Sequence, residues 1–273
     1  MGSQAGTKKS YTTLICAISV VLAALATAGR LISLYCFYDK IGYFQRGAIL
    51  PVISNVLYVL SLLFFAFSAF FLLPKSEPRA TLKKAERIAA LLPAAALAVH
   101  VLLCAKTLFE GAKIFEILDL LLAIVGVIFF VSLAFCRQPS ALTAISGVGV
   151  VLWMLIVWII SYLDLNVPMN SPDKLFFHFA CLGGATFVFF EVRTLYAMPR
   201  NRFYLFSMLA SILMLSVSAI PSIIASFDNV FSVYTLLQYD TVFLTLAIYS
   251  LVRLVFFCAG GNIAQEQAPE EQL

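Results

Sequence analysis

Ionisable side chains are so scarce in this chain that each one inside an apolar run is a candidate for chemistry. Glu191 and Arg253 both interrupt such runs. A charge at the centre of a bilayer helix costs about 2.5–3.5 kcal/mol on insertion scales, so it persists where it has a partner or a task. Glu191 follows Phe187 by four residues and Gly184 by seven, which is one helical face, with Cys181 beside the stripe. Gly183-Gly184 lets a neighbouring helix approach closely, so this face is expected to look into a bundle. Arg253 sits at comparable depth in the last apolar run, where a Glu191–Arg253 pair would make a gate or coupling site for solute movement. The plainer reading is a structural pair, or two side chains snorkelling to the headgroups.

His100 lies deeper, in an alanine-rich run, and could relay protons or bind metal with His178 as companion. Neither histidine has a carboxylate close by on its own run, so hydrogen-bonded packing is the simpler role. Arg30, Asp119 and Asp240 fall within a turn or two of the opposite surface and form a candidate outer-side pair of arginine with carboxylate. Charges at that depth are cheap. Trp153 and Trp158 sit inside a run and need partners for their indole N–H groups. The six cysteines, Cys16, Cys36, Cys104, Cys136, Cys181 and Cys258, contain no Cys-x-x-Cys pair and read as small hydrophobes. There is no catalytic, nucleotide-binding or metal-binding motif, so no cofactor and no metal ligand set is expected.

The elements that position these residues follow from composition. The chain is 62% hydrophobic and 12% charged, with mean hydropathy +0.99. Only lipid can cover that much apolar surface. Spans of about 20 residues are needed to cross the hydrocarbon, and they can be placed near 12–35, 48–73, 87–107, 115–136, 143–163, 175–197, 203–225 and 237–258. The fold class is therefore all-α: a polytopic transmembrane bundle of about eight spans over residues 1–261. Residues 262–273, polar and aperiodic, read as a disordered cytoplasmic tail.

Lys and Arg in the links set the orientation. With the N-terminus inside, Lys8, Lys9, Lys75, Arg79, Lys83, Lys84, Arg87, Arg137, Arg193, Arg200 and Arg202 face the cytoplasm, and Lys40, Arg46, Lys106, Lys113 and Lys174 face outward. Both termini are then cytoplasmic. Lys8-Lys9 and Ala26-Thr27-Ala28 imitate a secretory signal, but apolar character continues through Leu31, Ile32, Leu34 and Tyr35, which favours an uncleaved helix. Compact links and the lack of an N-x-Ser/Thr sequon point to a bacterial plasma membrane.

Echoes such as Leu73-Pro74-Lys75 with Met198-Pro199-Arg200, and Asp119 with Asp240, suggest a parallel 4+4 repeat. Pro93 and Pro221 lie at opposite depths, so each is read as a local kink and not as half of a repeated site.

No link is long enough for a soluble catalytic domain. The leading expectation is a small-solute transporter or permease-like component. The alternative is a non-catalytic membrane subunit or regulator acting through another membrane protein or a cytoplasmic subunit, using faces such as Gly147-Val148-Gly149 and Gly183-Gly184. An intramembrane lipid enzyme comes third, because paired carboxylates or an activated nucleophile are missing from the pattern. Membrane lipid is the one expected partner throughout. The dispersed basic residues exclude nucleic acid.

Overall fold

The computed structural model describes residues 2–38, 44–45, 47–72, 82–108, 113–136, 140–165, 171–196, 201–227 and 237–260. They form eight helices: α1 (Gly2–Phe37), α2 (Ile49–Phe67, continued by a π-helical turn over Ser68–Leu72), α3 (Lys84–Leu108), α4 (Ile114–Phe135), α5 (Ala141–Leu163), α6 (Pro172–Leu195), α7 (Asn201–Phe227) and α8 (Leu237–Gly260). All eight contain a stretch long and apolar enough to cross a membrane. The chain is thus an all-α, multi-pass membrane protein. The tail at 262–273 and most of the basic links lie outside the described residues.

Helix starts are made by side chains that satisfy backbone N–H groups lacking an intrahelical partner. Ser171 precedes Pro172, and its Oγ accepts from Lys174 N at 3.3 Å. Ser140 Oγ accepts from Thr143 N at 3.4 Å. Glu86 and Glu116 reach back to the N–H groups of Lys83 (2.7 Å) and Lys113 (3.0 Å). Hydroxyls within the spans turn onto their own helix: Ser19, Thr27, Ser61 and Thr194 each donate to the carbonyl four residues earlier. In lipid an unmade hydrogen bond has no water to replace it.

Helices α3 to α8 each pack on the next, and α8 returns against α3, closing a six-helix ring. α1 lies outside it, mainly along α7, and α2 packs on α1. This arrangement corrects the expected 4+4 repeat. A repeat would make the extensive α3–α8 contact equivalent to one between α7 and α4, and no comparable α4–α7 packing occurs among the described residues. Of the echoed residues, Asp119 and Asp240 are both buried but hold different partners, His100 and Ser222.

α7 is the most enclosed span, with 67% of its apolar window buried, because it is wrapped by α6, α8, α1 and α2. The ring interior is filled by Leu97, Phe129, Phe130, Trp153, Met154 and Phe187, with Phe243 and Tyr249 opposite. α5 fits tightly between α4 and α6. A Cβ added at Gly147 would lie 2.3 Å from Val192 Cγ2, and one at Gly149 would lie 2.4 Å from Val125 Cγ1. Gly183 and Gly184 are likewise filled by Met214 and Met154. The small-residue faces are therefore occupied by the chain's own helices.

Candidate functional site

Two buried polar groups sit at opposite ends of the ring. At the end where α1 begins, Arg253 near the end of α8 stands between two carboxylates. One is Glu86, in the first turn of α3, which pairs with Arg253 Nη1. The other is Glu191 of α6, whose Oε1 lies 2.9 Å from Arg253 Nε. That N–H is not aimed at the oxygen, so the attraction is ionic and not an aligned hydrogen bond. Glu191 accepts instead from Tyr204 of α7 at 2.5 Å and from Tyr249 of α8 at 2.8 Å. Glu191 is fully buried and Glu86 is 3% exposed. The group draws on α3, α6, α7 and α8, so any movement among these helices must remake it.

Phe187, Gly184 and Cys181 are buried with Glu191 on one face of α6. Glu86, Tyr204 and Tyr249 were missed in the sequence. Glu86 stands among Lys83, Lys84 and Arg87 in the sequence, and it is the third residue of α3, where it caps its own helix with Oε2 and offers Oε1 to Arg253.

At the other end, Asp119 of α4 gathers donors from three helices. His100 Nε2 lies 3.2 and 3.1 Å from its two oxygens. Trp153 Nε1 of α5 donates to Oδ1 at 2.7 Å, and the Tyr239 phenol of α8 donates to Oδ2 at 2.9 Å. Cys104, one turn beyond His100 on α3, places Sγ 3.4 Å from His100 Nε2 and 3.5 Å from Asp119 Oδ2. His100 is fully buried and Asp119 is 2% exposed.

This is no nucleophilic triad. A relay needs the thiol on one ring nitrogen and the carboxylate on the other, whereas here the sulfur lies nearer Nε2 (3.4 Å), the nitrogen that also meets the carboxylate, than Nδ1 (3.8 Å). His178 does not join the group. Its ring packs edge-on against Trp158 with centroids 5.8 Å apart, and Nε2 has no hydrogen-bond partner among the described residues.

The outer-side pairing expected for Arg30 is corrected. Arg30 pairs with Asp173, at the start of α6, and its Nη1 donates to Tyr38 at 2.9 Å, while the Phe176 ring lies 4.4 Å from its guanidinium carbon. Burial pushes the Tyr38 phenol up from its ordinary value. Asp119 belongs to His100, and Asp240 accepts from Ser222 at 2.6 Å. α1 packs on α7 and reaches the start of α6, and α4 is across the ring, so Arg30 finds the nearest helix-start carboxylate.

α3 and α8 contribute to both groups. From Glu86 to His100, and from Tyr239 to Arg253, is 14 residues in each case, or about 21 Å at the α-helical rise. Between them Ala90, Ala94 and Leu97 of α3 and Phe243, Leu246 and Ala247 of α8 are buried. The chain matches no known protein family, no curated protein and no solved structure, so the role of these residues has to be inferred from their geometry.

Proposed function

We propose that the protein is a small-solute transporter of the plasma membrane in which the Arg253 group is the cytoplasmic gate and the seat of proton coupling. The observation that supports this most is one guanidinium shared by two buried carboxylates on different ring helices, Glu86 of α3 and Glu191 of α6. Two carboxylates against one guanidinium leave one formal negative charge in excess. Buried net charge is costly, so the group favours the arrival of one further positive charge during the transport cycle. Arg253 can be held by Glu86 or by Glu191, and which of them holds it sets the closure of α3 or α6 against α8. A bistable contact between packed helices is the kind of element on which gating runs. The surplus of Lys and Arg in the links at this end favours a cytoplasmic position.

The test uses the full chain in proteoliposomes with a trapped pH dye and an imposed pH gradient. Solutes are added class by class: amino acids, sugars, organic acids, nucleosides and amines. At least one class is expected to evoke proton flux, and Glu191→Gln, folded by size-exclusion chromatography, is expected to abolish it. If no class moves protons under either gradient direction, the transport reading fails.

A further inference from the structure

We propose that His100, Cys104 and Asp119 form a binding site for one divalent transition-metal ion of zinc-like softness. The three ligand atoms come from a four-residue step on α3 and the facing turn of α4, and all lie within 4.8 Å of one another. Their separations carry the argument. A tetrahedral zinc with a bond of about 2.3 Å to sulfur and about 2.0–2.1 Å to nitrogen or oxygen holds N and S about 3.5 Å apart, N and O about 3.3 Å, and S and O about 3.5 Å. The corresponding distances here are 3.4 Å for His100 Nε2 to Cys104 Sγ, 3.1 Å for Nε2 to Asp119 Oδ2, and 3.5 Å for Sγ to Oδ2. Sγ also lies 3.8 Å from Nδ1, to the side of the imidazole, so an ion enters the triangle once the His100 ring turns to bring its Nε2 lone pair towards the sulfur.

The surroundings suit it. Metal-bound carboxylates are commonly held by a further hydrogen bond that fixes their orientation. Trp153 supplies one at 2.7 Å to Oδ1, the carboxylate oxygen that is not among the three ligand atoms. Three ligands leave a fourth position open, and the Tyr239 phenol gives the carboxylate a second hydrogen bond, to Oδ2 at 2.9 Å. Binding converts the Cys104 thiol to thiolate and releases its proton to water. Thiolate, carboxylate and dication then sum to zero charge, which is what a buried site in a bilayer requires. Thiolate with imidazole selects against magnesium and calcium, which prefer all-oxygen sets.

The site does not depend on the transport reading. An ion that only braces α3 against α4 would use the same three atoms, so binding is measured here without a transport step. The full chain in nanodiscs, stripped with chelator, is titrated with Co²⁺. The expected result is one cobalt per chain, with tetrahedral visible bands and a thiolate-to-cobalt charge-transfer band, both lost on adding Zn²⁺. Cys104→His, which keeps a ligand but removes the sulfur, is expected to bind cobalt without the charge-transfer band. Asp119→Asn is expected to weaken binding, and Trp153→Phe to weaken it roughly tenfold through the lost carboxylate contact. Cys181→Ser is expected to behave as wild type. Failure of the wild-type chain to bind cobalt stoichiometrically, or a charge-transfer band that survives Cys104→His, overturns the site.

Discussion

Arg253 of α8 lies between Glu86 of α3 and Glu191 of α6 and so ties three helices of the ring through one guanidinium. Removing it as Arg253→Met strands two buried carboxylates. Breaking one side of a buried ion pair typically costs about 3–5 kcal/mol, and a clear drop in melting temperature in detergent is expected. The triple variant Glu86→Gln, Glu191→Gln, Arg253→Met removes all the charge at once and is expected to recover much of the loss. A single variant that melts with the wild type would show that the charges do not hold these helices together.

Trp153 reports on Asp119 directly. With Trp158→Phe as background, Trp153 is the one indole left, and its N–H is bonded to Asp119 Oδ1 at 2.7 Å. Asp119→Ala leaves that donor and the Tyr239 phenol unsatisfied, at a cost of about 1–3 kcal/mol for each buried group. A shift of the emission maximum together with lower thermal stability is the expected pair of readings. An unchanged spectrum would place the indole elsewhere.

Cys16 of α1 and Cys258 of α8 bring their sulfurs to 2.8 Å. Mild oxidation is expected to join them and alter migration on non-reducing gels, and Cys16→Ala should abolish the change. This also tests whether α1 touches α8 as well as α7 at that end. A chain that oxidises only through Cys36 or Cys136, the exposed thiols, would contradict the packing of α1.

Gly147 is expected to tolerate no side chain. Gly147→Ala drives a methyl against Val192 and Phe129, and overpacking of this kind costs about 1–3 kcal/mol. Val148→Ala, on the exposed neighbour, serves as the control. Equal melting of the two variants would refute the tight fit of α5.

Much of the architecture is legible in the sequence, because lipid demands long apolar runs and this chain has few polar interruptions. The inward face of α6 is legible too, since Gly184, Phe187 and Glu191 keep helical spacing. What escapes is the identity of partners across helices. The carboxylate on α3, Glu86, lies 14 residues from His100, but Asp119 arrives from α4, and nothing in one helix states which turn of the next it will face. Arg30 shows the same limit: carboxylates within the runs drew attention, whereas its partner Asp173 stands just inside the first turn of α6. Cys104 reads as a small hydrophobe until its four-residue step from His100 is set against Asp119. The closure of α8 on α3 has no sequence signature at all, and it decides where Glu86 goes.

That closure also sets an order of events during synthesis. Four helices separate α3 from the one that completes its packing, and the N-terminal parts of a chain leave the ribosome first. Glu86 must wait near the headgroups until the final helix has been released into the bilayer and carries in its guanidinium. A nascent chain truncated before α8 would therefore hold an open, unsealed crescent of helices with an acidic edge, a natural target for quality-control proteases.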